Sequence, residues 1–187
     1  LEKERVYKVT VPYVHSGYDR IKDDNYQTVD PRCVDALVHQ FCPYSIVDVC
    51  APSGSGIVDR FIEIGLDARG VADAFDDTLL NRYVDKWIVT NPPYTRPLVD
   101  DIIKEQIERI DESRILNVAM LLRSNFDFAK SRVSMFKNNP LYRGQIKMLF
   151  RPIWIEGEQR AQPIHNFVWH IWQEGYWNNK EVWYVEE

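Results

Sequence analysis

Hydrophobic positions along the chain follow two periods, and the switch between them outlines the elements. Val34, Leu37, Val38 and Phe41 recur at helical spacing. They predict a helix opened by Asp30-Pro31, with aspartate as cap and proline in the first turn, and ended by Pro43. Ser45–Cys50 is a short apolar run and predicts a buried strand. Ala51-Pro52-Ser53-Gly54-Ser55-Gly56 follows, then a helical segment carrying Ile57, Val58, Phe61, Ile62 and Leu66. Ala68–Ala72 predicts a second strand ending at Asp73, Leu79–Val84 a helix, and Trp87–Thr90 a third strand. Val99, Ile102, Ile103, Ile107 and Ile110 give a helix over 98–110. Ile115–Leu122 is too continuously apolar for a half-exposed strand and predicts a central parallel one. Asn125–Phe136 predicts a further helix, stopped by Asn138-Asn139-Pro140. Gln145–Phe150, Asn166–Gln173 and Val182–Val185 are expected strands, the last two joined by a Gly-Tyr-Trp-Asn-Asn loop into an antiparallel hairpin. Residues 1–25 alternate weakly and suit a short strand or an arm.

Strands alternating with helices, closed by a hairpin, predict a three-layer α/β domain with a mostly parallel, Rossmann-like sheet. At 187 residues the chain suits one domain, 1–187, with 1–25 as an N-terminal arm. Ligands on such sheets bind beyond the carboxyl ends of the strands. Three loops occupy that position: after Cys50, at Asp73 and at Asn91.

Composition narrows the class. Hydrophobic residues make up 45% and charged residues 27%, which argues against disorder. No apolar run approaches the roughly 20 residues of a membrane helix, and the charged start Leu1–Arg5 lacks the apolar stretch of a signal peptide. Cys33, Cys42 and Cys50 form no C-x-x-C pair, so reduced thiols in a cytoplasmic protein are expected rather than a disulfide framework. The 4 histidines show no metal-ligand spacing, and no metal is expected. The net charge is −5, yet residues 123–151 carry seven basic side chains (Arg123, Lys130, Arg132, Lys137, Arg143, Lys147, Arg151) against Asp127 alone. That local +6 leaves −11 for the remainder. Such segregation suits either a phosphate-facing surface or a solvated face. Of the tryptophans, Trp154, Trp169, Trp172, Trp177 and Trp183 lie in the last third, where they serve packing or base stacking.

The most informative chemistry is Asn91-Pro92-Pro93-Tyr94, directly after the Trp87–Thr90 strand. Two prolines remove two donors and fix two φ angles, and the first pushes Asn91 out of the helical region. The result is a rigid, carbonyl-rich turn with an amide and an aromatic ring beside it. It can accept hydrogen bonds from a planar amino group and stack on the ring that carries it. The glycine loop at Asp48–Gly56 matches a dinucleotide fingerprint only in part, lacking the third glycine. Asp48 beside it would repel a pyrophosphate and suits a cationic or amino-bearing ligand. Asp73, 25 positions later, stands where an acid accepts ribose hydroxyls.

Taken together, these segments resemble the S-adenosylmethionine-dependent N6-adenine methyltransferases. Asp48–Gly56 resembles their cofactor motif, commonly D-P-C-x-G-x-G; Tyr26-Gln27-Thr28 resembles the upstream aromatic-x-Thr segment; Asn91–Tyr94 matches the catalytic motif in full. Val118–Phe126, Arg151-Pro152 and Phe167-Val168-Trp169 resemble the small bacteriophage forms. The likeness spans about residues 26–173. Pro52-Ser53 departs from the commoner residues ahead of the glycines, and Asp76-Asp77 matches the next acidic motif only loosely.

The resemblance implies a class I methyltransferase sheet, S-adenosylmethionine as cofactor, and a host-cytoplasmic enzyme if phage-encoded. It implies cofactor contacts from Tyr26, Thr28, Asp48, Cys50, Ala51, Gly54, Gly56, Asp73, Ala74, Phe75 and Asn91. Which of Asp73, Asp76 and Asp77 meets the cofactor stays open. Asn91, Pro92, Pro93 and Tyr94 would be catalytic. Asn91 Oδ1 and the Pro92 carbonyl would accept the amine's N–H bonds, and Tyr94 would stack on the base. Arg123, Lys137, Arg143, Lys147 and Arg151 are candidates for nucleic-acid phosphates. The segment between Gly56 and Asn91 is compact, so no separate target-recognition domain is expected. DNA adenine is the expected acceptor. RNA adenine, a protein glutamine amide and a non-catalytic cofactor-binding module are the alternatives.

Overall fold

A computed structural model describes residues 28, 30–51, 54–76, 87–111, 117–154, 165–175 and 179–186. The arm at 1–25, the helix expected at 79–84, Tyr26, Asp77 and Trp177 lie outside the described residues. Helix α1 (Pro31–Phe41) begins at Asp30, whose side chain accepts the Arg32 N–H, with Pro31 in the first turn. Strand β1 (Ser45–Asp48) leads to α2 (Gly56–Glu63), capped by Ser55, whose Oγ accepts the Val58 N–H at 3.3 Å. Then come β2 (Asp67–Gly70), β3 (Trp87–Thr90), α3 (Leu98–Asp111), β4 (Asn117–Arg123), β5 (Tyr142–Met148), β6 (Phe167–Gln173) and β7 (Glu181–Val185).

The seven strands form one sheet in the order β2-β1-β3-β4-β6-β5-β7. β6 runs antiparallel to both its neighbours, and the other described strands share one direction. α1 and α2 cover one face over Leu37, Ile46, Phe61, Val89, Leu121 and Trp169. α3 and residues 126–136 cover the other, over Val47, Ile88, Ile103, Met120, Phe136 and Trp172. This is the three-layer, mostly parallel α/β arrangement expected, with its antiparallel part at the C-terminus. Among the described residues no helix is long and apolar enough to cross a membrane.

Two expectations need correction. The C-terminal antiparallel pairing is not a β6–β7 hairpin. β4 and β5 occupy both edges of β6, which is buried along nearly its whole length, so β7 pairs in parallel with β5 instead. A register shift at Gly144 allows the approach: a Cβ there would stand 2.0 Å from the Glu181 carbonyl oxygen, and φ is +153°. The helix expected over Asn125–Phe136 is instead two short 3₁₀ turns, Phe126–Phe128 and Lys130–Arg132, parted by an extended Ala129. The reason is Arg132. Its guanidinium donates to the Phe126 carbonyl at 2.9 Å, the acceptor that a continuous helix would give to the residue 130 N–H.

Most tryptophans are structural. Trp169 and Trp172 are fully buried and donate their Nε1–H groups to the Cys33 and Met135 carbonyls, both at 2.7 Å. Beside them His170 is fully buried, its Nδ1 2.8 Å from the Tyr142 hydroxyl and its ring against Phe136. Burial depresses its basicity from 6.5 to about 3. The unfolded chain therefore takes up a proton that the folded one refuses between those values. Stability should fall as pH drops from 6.5 towards 3, by up to ~1.4 kcal/mol per pH unit. Urea titrations across that range should show a shallower slope for His170→Gln; an unchanged slope would mean that His170 is not the group responsible.

Candidate active site

The carboxyl ends of β1, β2, β3 and β4 converge on one rim, and Asp48 ties three of the converging segments together. Its carboxylate is buried. Oδ2 accepts the Ser55 hydroxyl at 2.5 Å, and Oδ1 accepts the Thr90 hydroxyl at 2.6 Å and the Cys50 N–H at 3.1 Å. One side chain thus joins the end of β1, the start of α2 and the last residue of β3, next to Asn91. Burial pushes its carboxyl above the ordinary carboxylate range, and the three donors oppose that. Asp48 therefore positions the loop rather than standing open to a ligand.

The loops after β1 and β2 are laced together: Val71 N–H donates to the Asp48 carbonyl at 2.8 Å, and Ala51 N–H to the Val71 carbonyl at 2.9 Å. Gly70 permits this approach, since a Cβ there would lie 2.8 Å from the Ala51 Cβ. Gly54 is exposed with φ +111°, and nothing lies within 4 Å of where its Cβ would stand, so that side of the loop is open. Gly56 opens α2.

Asp73 is exposed and its Oδ1 accepts the Phe75 N–H at 2.9 Å. The turn it starts is pinned to α3, where Gln106 and Arg109 donate to the Ala74 carbonyl at 2.9 and 2.7 Å. Ala74 itself is buried in the core, whereas the Phe75 ring is exposed. Cys50 is within electrostatic reach of both acids. Burial, then the Asp48 charge, then Asp73 push its thiol up to about 12, so it is protonated and non-nucleophilic at neutral pH.

Asn91, Pro92 and Pro93 are buried, and Tyr94 is half-buried. The Tyr94 hydroxyl meets Asn91 Oδ1 and the Leu121 carbonyl, the latter at 2.9 Å. Its ring packs 5.7 Å from Phe167, which meets Trp154 at 4.7 Å, and the Arg123 guanidinium lies 5.9 Å from the Tyr94 ring centre. An amide oxygen, an aromatic row and a cation therefore meet beyond the end of β3.

On the α1 side, Thr28 is 4% exposed and its Oγ1 has no hydrogen-bond partner among the described residues. Two residues on, Asp30 accepts the Ile153 N–H at 3.0 Å, tying the chain after β5 to the start of α1. The basic segment is less uniform than its composition suggests. Arg132 is buried against Asp100 at 2.7 Å, and Arg143 pairs with Glu181 at 3.2 Å on the α1 face beside Phe41 and Trp183. Lys130, Lys137 and Arg151 are exposed, and Arg123 and Lys147 partly so.

Sequence reasoning missed Thr90, Gly70 and Ser55 as parts of the site. Ser55 alone carried a local signal, as a capping residue ahead of α2. Among the described residues no group of three histidine, cysteine or acidic side chains could hold a metal ion.

No protein-family model and no curated protein matches the sequence. Among solved structures, a candidate class I S-adenosylmethionine-dependent methyltransferase from Listeria monocytogenes aligns at 14% identity with a TM-score of 0.44. The alignment covers 83% of this chain and 62% of that one, so the chain spans about three fifths of that protein's length.

Proposed function

We propose that this chain transfers a methyl group from S-adenosylmethionine to the exocyclic N6 amine of adenine in DNA. The observation that carries the reading is the buried Asn91 amide at the end of β3, fastened through Thr90 to Asp48 and the glycine loop. An acceptor site and a cofactor loop held by one carboxylate keep a fixed spacing, which a two-substrate displacement requires.

The residues around the loop fit the cofactor. The open side of Gly54 admits a ligand, and the exposed Asp73 beyond the end of β2 supplies an acceptor that ribose hydroxyls favour. Thr28 Oγ1 is a buried polar atom that lacks a hydrogen-bond partner among the described residues. When bound, S-adenosylmethionine supplies an electrophilic methyl carbon and leaves as the neutral thioether. The chain's own part is electrostatic. Asn91 Oδ1 and the Pro92 carbonyl accept the two N–H bonds of the adenine amine, localise its lone pair towards the methyl carbon, and let the displaced proton pass to water. With Cys50 protonated, no covalent enzyme intermediate is needed. Tyr94 first has to give up Asn91 Oδ1; its ring then turns to stack on the base.

Thr28→Val tests the cofactor side. Removing a buried hydroxyl that has no partner among the described residues should leave the melting temperature unchanged or higher. Cofactor affinity should fall by about 0.5–1.5 kcal/mol, the net worth of one hydrogen bond. Isothermal titration with S-adenosylhomocysteine measures this. Tight binding of NAD with no response to S-adenosylhomocysteine would remove the proposal.

A protein glutamine amide presents the same planar NH₂ group, and the net charge of −5 keeps that acceptor in view. Labelled methyl transfer to DNA, RNA and lysate protein in parallel separates the three acceptors.

A further inference from the structure

The chain leaves β4 at Arg123 and makes a sharp knuckle that buries one aromatic ring and turns the next outward. Phe126 is buried, while Phe128, two residues on, is 81% exposed. A single exposed apolar side chain is ordinary on a protein surface; what holds Phe128 there is not. The Ser124 N–H donates to the Asn166 carbonyl at 2.9 Å, which fixes the start of the knuckle to the chain entering β6. Arg132 closes it from within, its guanidinium 3.4 Å from the Phe126 ring centre, bonded to the Phe126 carbonyl and paired with Asp100 on α3. The Phe128 N–H donates to the Asn125 carbonyl at 3.3 Å. A buried arginine thus braces a loop that carries an aromatic ring outward.

The surroundings suit a polyanion. Lys130 is exposed two positions on. Burial pushes the Asp127 carboxyl up, and Lys147, partly exposed on β5, is within electrostatic reach and opposes this. Lys147 in turn lies 5.7 Å from the exposed Tyr184 ring. Phe128 is five residues from Arg123, whose guanidinium lies near the Tyr94 ring, so at most about 18 Å of chain separates them.

We infer that Phe128 is a wedge that enters the base stack of duplex DNA as the target adenine is drawn out towards Asn91. Apolar side chains inserted at a base step unstack it, and an enzyme acting on the Watson–Crick edge has to remove its base from the duplex. The inference rests on the DNA reading proposed above and adds the residue that opens the duplex. Single-stranded DNA needs no opening, so the wedge should matter for duplex alone.

The test uses full-length protein and genomic DNA free of adenine methylation, either as duplex or heat-denatured and held single-stranded. Phe128→Ala should lower methyl incorporation into duplex about tenfold or more, and stay within about twofold of wild type on denatured DNA. Phe128→Tyr should restore duplex activity. Phe128 is exposed, so the melting temperature should not move. Equal activity of Phe128→Ala and wild type on both forms, or an equal loss on both, would overturn the wedge and leave the acceptor assignment standing. A wild-type protein that methylates neither form would overturn the DNA reading and the wedge with it.

Discussion

Asn91→Ala should abolish methyl transfer while leaving cofactor affinity within a few-fold of wild type. Asn91 is buried at the end of β3, and its amide oxygen is the acceptor proposed for the amine. Without it the lone pair stays delocalised in the ring and one N–H loses its partner. The loss should be about 3–4 kcal/mol of transition-state stabilisation, comparable to deleting one donor from an oxyanion hole. Single-turnover rates should therefore drop several hundredfold. The fold should hold, because Asn91 follows β3 and Thr90 keeps its bond to Asp48. An Asn91→Ala protein with wild-type turnover would remove the mechanism.

Asp48→Ala should have the second-largest effect, on stability as well as binding. It strands two buried hydroxyls and the Cys50 N–H that now share one carboxylate. Each unsatisfied buried group costs roughly 1–3 kcal/mol, and partial filling by water brings the expected total to about 2–4 kcal/mol. For a domain of this size that is a fall of about 10 °C in melting temperature. Cofactor binding should be lost, since the loop after β1 and the end of β3 are no longer tied. Asp48→Asn should behave differently. Its carbonyl still accepts, and the hydroxyl facing its NH₂ can turn to receive it, so most of the stability returns. Thermal melts and titrations of both variants check this; equal damage from alanine and asparagine would mean that the negative charge, not the hydrogen-bond knot, holds the loop.

The parallel half of the sheet was legible because β1, β3 and β4 are buried on both faces and therefore stand out as apolar runs between turn residues. The α1 cap was legible for a local reason: Asp30-Pro31 carries its own signal. What could not be seen depends on partners distant in sequence. Thr90 and Asp48 are 42 positions apart, and neither advertises the other. The parallel docking of β7 on β5 is decided by which sheet edge remains free, whereas the Gly-Tyr-Trp-Asn-Asn loop signals only a nearby reversal. Residues 125–136 have helical composition, but Arg132 takes a carbonyl the helix would need. The pairing of Arg132 with Asp100, and that of Arg143 with Glu181, removes two charges from a basic segment that looked uniform in the sequence. The shape of the Asn91–Tyr94 turn was the clearest case, since consecutive prolines constrain the backbone whatever surrounds them.

The central claim is tested most directly by identifying the methylated nucleoside. Adenine-unmethylated genomic DNA is incubated with the protein and S-adenosylmethionine carrying a deuterated methyl group, then digested to nucleosides and analysed by mass spectrometry. Labelled N6-methyldeoxyadenosine should appear with wild type and be absent with Asn91→Ala. Label found only in methylated cytosine, or no label in DNA while lysate protein acquires methylglutamine, would contradict the account.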